Sequence, residues 1–162
     1  MDVWTKKFGK IHVILNGIEL SRYQFSATQR QIIRRHYRIS STMQVIGFVG
    51  VLATRKNPFF AISTFEAFHA KHSDNLLVML GKGPLESEIV ARINDARLQH
   101  HFIQLDYLKN VNEMVLSNGR TFFPTPFEEF RLVPVEAQVS NLKVLCADVV
   151  PHIPYCLCNV KY

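Results

Sequence analysis

The stretch "PTPFEEFRLVPVEAQ", residues 124–138, carries three glutamates among apolar residues. Glu128 and Glu136 have seven residues between them. A carboxylate is a poor partner for phosphate and a good acceptor for paired hydroxyls. Other segments supply the opposite chemistry. "GVLATRKNP" holds Gly50, Arg55 and Lys56; "GKGP" holds Gly81, Lys82, Gly83 and Pro84; "DYLKN" holds Lys109. Glycines permit close approach to backbone, helix N-termini attract anions, and a lysine adds a point charge for phosphate. Phosphate-binding groups beside carboxylates suit a nucleotide carrying ribose or sugar hydroxyls. The plainer reading, surface charge, stays open for Lys82 and Lys109, and a solvated helix start stays open for the glutamates.

For these residues to meet, the elements must place their loops on one edge. "IHVIL" (residues 11–15), "QVIGFVG" (44–50), "NLLVML" (75–80), "HFIQL" (101–105), "TFF" (121–123) and "KVLCA" (143–147) read as short apolar strands. Helical segments separate them. "SATQRQIIRRHYR" starts at Ser26 as N-cap; "NPFFAISTFEAFHAKH" has Asn57 as cap and Pro58 at its first position. Its Phe59, Ile62, Phe65 and His69 share a face. "PLESEIVARINDARL" has Pro84 near its start, "VNEMVLS" is short, and "RLVPVEAQ" has Pro134 in its first turn. Strands alternating with helices predict an α/β fold: a Rossmann-like parallel sheet with helices on both faces. In such a sheet ligands bind outside the carboxyl ends of the strands. The loops after Val49, Leu80, Leu105 and Phe123 are the ones that leave those ends.

Composition narrows the function classes. A chain of 162 residues with 48% hydrophobic and 20% charged residues is expected to be one globular domain. No apolar run reaches the length of a membrane span, and "MDVWTKKFGK" has no apolar core of a signal peptide. Three cysteines, Cys146, Cys156 and Cys158, fit a reducing compartment, and "CLC" lacks a second ligand pair for a metal. The net charge of +6 lies in residues 1–38, where eight basic residues face two acidic ones. The basic segment "RQIIRRHYR" reads as a solvated helix face; attraction to nucleic acid or anionic lipid is the other reading of that charge. No nucleic-acid motif accompanies it. No G-x-G-x-x-G follows a strand, and neither a P-loop nor a G-x-S-x-G elbow occurs. His100 and His101 open a strand and read as structural or exposed.

Taken in order, "VILNGIEL", "IGFVGVLATRKNP", "VMLGKGPLESEI", "FIQLDYLKNVNEMV", "FFPTPFEEFRLVPVEAQ" and "VLCAD" resemble the C-terminal half of the family-four (group 1) retaining glycosyltransferases, which have the GT-B fold. The resemblance covers roughly residues 8–151. It implies a domain that binds a nucleotide-sugar donor, commonly a UDP-sugar, without a metal or other cofactor. Position by position, it implies that Gly50 approaches the donor phosphates and that Lys56 contacts them. It sets Gly81, Gly83 and Pro84 beside the base, Glu128 near the donor sugar and Glu136 on the ribose hydroxyls. Glu128 and Lys56 are the expected catalytic residues, through stabilisation of the leaving diphosphate. The expected setting is cytoplasmic, peripheral to the inner face of a membrane, with no nucleic-acid partner.

This sequence departs from the family pattern at several positions. Val51 stands where an arginine is usual, Gly119 where an aspartate is, and Glu129 and Arg131 where glycines are. Arg131 is read as supplying the cation that Val51 does not. The alternative is a degenerate module that binds nucleotide-sugar or a partner without turnover. The chain is expected to lack the N-terminal acceptor domain and the last helices, and alone to transfer no sugar.

Overall fold

The structure is a computed structural model that describes residues 19–106, 119–123 and 132–146. Among the described residues five short strands form one sheet: β1 (Gln44–Val49), β2 (Asn75–Leu80), β3 (Phe102–Leu105), β4 (Arg120–Phe123) and β5 (Lys143–Cys146). Their order is β3-β2-β1-β4-β5, and every pairing is parallel. The described α-helices are α1 (Ala27–His36), before β1, then α2 (Pro58–His69), α3 (Glu86–Asp95) and α4 (Leu132–Val139) between strands. Three-residue 3-10 turns occupy Thr54–Lys56 and Gln99–His101, and a four-residue one occupies Leu20–Tyr23.

Both sheet faces are covered, as the near-continuous apolar strands require. On one face Ile46, Phe48, Leu77, Met79 and Phe122 pack against Ala61, Ile62 and Phe65 of α2 and Ile89 and Ile93 of α3. On the other, Val45, Leu76, Val78 and Leu80 pack against Ile33 of α1 and Ile39. The apolar face expected for α2 is therefore the one that is buried. The strand "IHVIL" and the helix "VNEMVLS" lie outside the described residues.

Helix starts follow the expected chemistry with one difference. Ser26 Oγ accepts from the Gln29 backbone N–H at 3.2 Å, a side-chain N-cap on α1. Asn57 precedes Pro58 as expected, yet its side chain makes no cap. It sits instead in the left-handed region (φ 51°, ψ 52°), where asparagine is among the better-tolerated residues. The 3-10 turn must reverse into α2 within one residue, and Asn57 absorbs that reversal.

The basic helix α1 is not solely a solvated face. Arg34 is 4% exposed. Its Nε–H and Nη2–H donate to the Ser40 carbonyl at 3.2 and 2.6 Å, and Nη2–H also donates to the Met43 carbonyl. Burial, then repulsion from Arg30, lowers its pKa, and the charge of Asp74 opposes that. One arginine of the run thus satisfies carbonyls of the α1–β1 loop. His69 and His101 also have a structural setting. The His69 ring contacts Asn75 Oδ1 at 2.7 Å, and the His101 ring lies 4.2 Å from it. His101 Nδ1 is 2.9 Å from the Asn75 carbonyl.

Candidate functional site

The parallel sheet puts the loops after β1, β2 and β3 at one edge. β1 is flanked by β2 and β4, so the chain turns outward in opposite directions on its two sides. A crevice forms outside the carboxyl ends of strands at such a reversal. The first loop, 50–57, and the second, 81–85, run side by side and extend the sheet ladder past the strand ends. Gly50 N–H donates to Leu80 O at 3.0 Å, Leu52 N–H to Lys82 O at 3.0 Å, and Leu85 N–H to Leu52 O at 3.1 Å. Gly81 N–H donates to Leu105 O at 3.0 Å.

This pairing explains the glycines of "GKGP". A Cβ on Gly81 would overlap the Gly50 carbonyl, and one on Gly83 would overlap the Leu52 backbone. Gly81 also has φ 145°. The N–H groups of the glycines in these two loops are taken up within the fold. The N–H groups of Gly50 and Gly81 bond to neighbouring strands, and that of Gly83 donates to Glu86 Oε1 at 2.7 Å. Contact of Gly81, Gly83 or Pro84 with a base would run through carbonyls and surface rather than through the N–H groups of the two glycines. Close loop packing used the glycines for itself, and nothing in "GKGP" alone distinguishes the two uses.

Lys56 lies beside Gly50. It ends the 3-10 turn, and its Cγ and Cδ pass 3.9 Å from where a Cβ on Gly50 would sit. Its stem therefore crosses Gly50 at the mouth of the loop, just before the N-terminus of α2. That helix has no acidic residue in its first turn, so no residue of its own first turn offsets the positive end of its dipole. By contrast α3 has Glu86 and Glu88 in its first turn. Lys82 is 2.8 Å from Asp106, both exposed, and the pair bears out its plainer reading as a surface charge. The hydrogen bond to Asp106, followed by that carboxylate's charge, raises the Lys82 pKa.

Glu136 lies in α4. Its Oε1 accepts from the Tyr23 hydroxyl at 2.8 Å. Tyr23 is 113 residues away, so no local spacing in the sequence points to it. Ser140, fully buried, places Oγ 2.8 Å from the Tyr23 carbonyl and 2.9 Å from the Glu136 carbonyl. Gly119 lies at the start of β4, its N–H donating to Val45 O at 2.9 Å. That is the amino end of the strand, opposite to the loop edge, so the missing aspartate there does not touch this site. Glu128, Glu129, Arg131 and Lys109 lie outside the described residues. Among the described residues no three His, Cys, Asp or Glu side chains gather as a metal would need.

The model of the family described as "Glycosyl transferases group 1" matches residues 29–161. This chain belongs to the group 1 glycosyl transferases. Relatives include a protein named an uncharacterized glycosyltransferase in Methanocaldococcus jannaschii, 24% identical over 86% of this chain and 34% of its own length. The putative teichuronic acid biosynthesis glycosyltransferase TuaC of Bacillus subtilis is 27% identical over 82% of this chain and 32% of its own. The chain spans about a third of the length of these curated relatives. Among solved structures, Anabaena HepE in complex with UDP and glucose is similar with a TM-score of 0.75 at 17% identity. The similarity covers 85% of this chain and 38% of HepE. WaaG, a glycosyltransferase involved in lipopolysaccharide biosynthesis, gives 0.75 at 18% identity over 90% of this chain and 41% of its own. The sheet order and these neighbours show an α/β, Rossmann-like parallel fold. Among the described residues no helix is long and apolar enough to cross a membrane.

Proposed function

We propose that this chain is the donor-binding domain of a retaining glycosyltransferase that moves a sugar from a UDP-sugar to an acceptor glycan or lipid. The observation that carries the reading is Lys56 crossing Gly50 beside the N-terminus of α2, whose first turn holds no acidic residue. That arrangement suits a diphosphate. Membership of the family and a structural neighbour holding UDP support the same choice of ligand. Lys56 and the helix dipole would stabilise the negative charge that grows on the diphosphate as the glycosidic bond breaks. Glu136 would accept from the ribose hydroxyls, Glu128 would lie near the donor sugar, and Arg131 would add a cation in place of Val51. No metal is assigned a role. The acceptor would attack from the face the nucleotide leaves, so the anomeric configuration is retained. A peripheral place at the inner face of a membrane fits a lipid-linked acceptor.

Calorimetric titration with UDP tests the reading. The wild-type chain is expected to bind UDP, and Lys56→Ala to weaken it about ten- to hundred-fold, the range for a charge-assisted contact to phosphate. Arg131→Ala is expected to weaken it as well. Failure of the wild-type chain to bind UDP at millimolar concentration would sink the donor-binding assignment. Binding with Lys56→Ala unaffected would remove Lys56 from the site.

A further inference from the structure

Tyr23 has two ties to α4 and the residue that follows it. Its hydroxyl donates to Glu136 Oε1 at 2.8 Å, and its carbonyl lies 2.8 Å from Ser140 Oγ. Ser140 is one turn beyond Glu136, fully buried, and its Oγ is also 2.9 Å from the Glu136 carbonyl. The backbone tie joins the turn Leu20–Tyr23 to the residue that follows α4. The phenol hydroxyl takes no part in that tie, and it is directed at a carboxylate.

We propose that Tyr23 is a positioning residue: its hydroxyl holds the Glu136 carboxylate in the one orientation that accepts both hydroxyls of a vicinal diol, and so selects ribonucleotides over deoxyribonucleotides. The inference rests on the donor-binding reading. An ionised carboxylate offers about four lone-pair directions on two oxygens. The phenol takes one of them on Oε1, and among the described residues no other side chain donates to this carboxylate. Three directions remain, spread over both oxygens, and two adjacent hydroxyls need two of them. A glutamate has three rotatable side-chain bonds whose freedom is lost when it binds. Tyr23 removes that freedom before the ligand arrives, which is preorganisation of the contact. A second consequence concerns the chain's organisation. The turn before α1 and the helix after β4 become one functional unit, although each is remote from the other in sequence.

The test is calorimetric titration of the full chain with UDP and with 2′-deoxyuridine diphosphate, for wild type, Tyr23→Phe, Glu136→Gln and the double variant. Wild type is expected to prefer UDP by about ten-fold or more, the scale of a hydrogen bond to a charged group. Tyr23→Phe is expected to lose about five- to ten-fold in UDP affinity and almost nothing for the deoxy ligand, so the preference shrinks. Added to Glu136→Gln it is expected to cost nothing further, since there is no carboxylate left to position. A role in docking alone predicts equal losses for both ligands; that result overturns the proposal, as does a preference unchanged in Tyr23→Phe. Equal affinities of wild type for the two ligands would overturn it too, by removing the diol contact. No binding of UDP by wild type would end the donor-binding reading, and this inference with it. Ser140→Ala guards against a folding artefact. It loosens the backbone tie and keeps the phenol, so its thermal midpoint is expected to fall while the ribose preference stays.

Discussion

Gly50 and Gly81 meet across two loops, and a methyl group would act differently at each. At Gly50 the nearest atoms to a new Cβ are the flexible stem of Lys56, at 3.9 Å, an ordinary contact. At Gly81 the obstacle is the Gly50 carbonyl itself, which is backbone and part of the ladder. Both residues have positive φ, 156° and 145°, so both substitutions carry strain, but only one also forces two loops apart. Gly81→Ala is therefore expected to destabilise the domain by about 2–4 kcal/mol and Gly50→Ala by less, about 1–2 kcal/mol. Chemical denaturation of the two variants measures the difference. Equal losses would mean that the loop contact adds nothing beyond backbone strain. The same pair shows the reach of sequence reasoning at single residues. The loop position of Lys56, just before a proline-started helix, was legible. The use of Gly81 and Gly83 was not, because a glycine looks the same whether a ligand or a neighbouring loop approaches it. Tyr23 was invisible, since its carboxylate partner lies 113 residues on.

At the scale of elements, the strands were the most legible part. Gln44–Val49 and Asn75–Leu80 each carry five successive apolar residues after a polar first one, a run that suits burial on both faces. Helix α1 was legible in its extent and its Ser26 cap, but less so in its charge. Three arginines on a short helix read as solvated, and Arg34 instead turns inward to bridge the Ser40 and Met43 carbonyls. Nothing in the spacing marks which arginine of a run will meet unsatisfied carbonyls after the helix ends. This gives α1 a prediction of its own. Arg34→Lys keeps the charge and loses the planar fork that reaches two carbonyls. It is expected to cost about 2 kcal/mol in denaturant unfolding, the scale of a charged hydrogen bond lost in a buried place. UDP affinity is expected to stay as in wild type, because α1 packs on a sheet face and contributes no loop to the carboxyl edge. A variant of wild-type stability would show that water replaces the fork without loss.

For the whole molecule, the strand order decides where the parts of the site come from. β1 lies between β2 and β4, so the loop bearing Lys56 borders both the "GKGP" loop and the end of β4. Phe48 pairs with Phe122 in that register, and the glutamate-bearing stretch follows β4 in the chain. A ligand at this edge would meet the loops after β1 and β2, and in the proposed reading also Glu136 of helix α4. Binding should then stabilise the sheet as a unit rather than one loop. By linkage, a ligand at a hundred times its Kd adds about 2.7 kcal/mol to the folded state. For a domain of this length each kcal/mol moves the thermal midpoint by about 2–4 °C. UDP at that excess is thus expected to raise the midpoint by about 5–10 °C in a single transition followed by circular dichroism. At the same concentration the rise should fall to about half for 2′-deoxyuridine diphosphate and to about half or less for Lys56→Ala. A transition that splits in two on adding UDP would show that the ligand orders one side of the sheet only, and would break the link between the β1 loop and α4 on which the proposed diol contact depends.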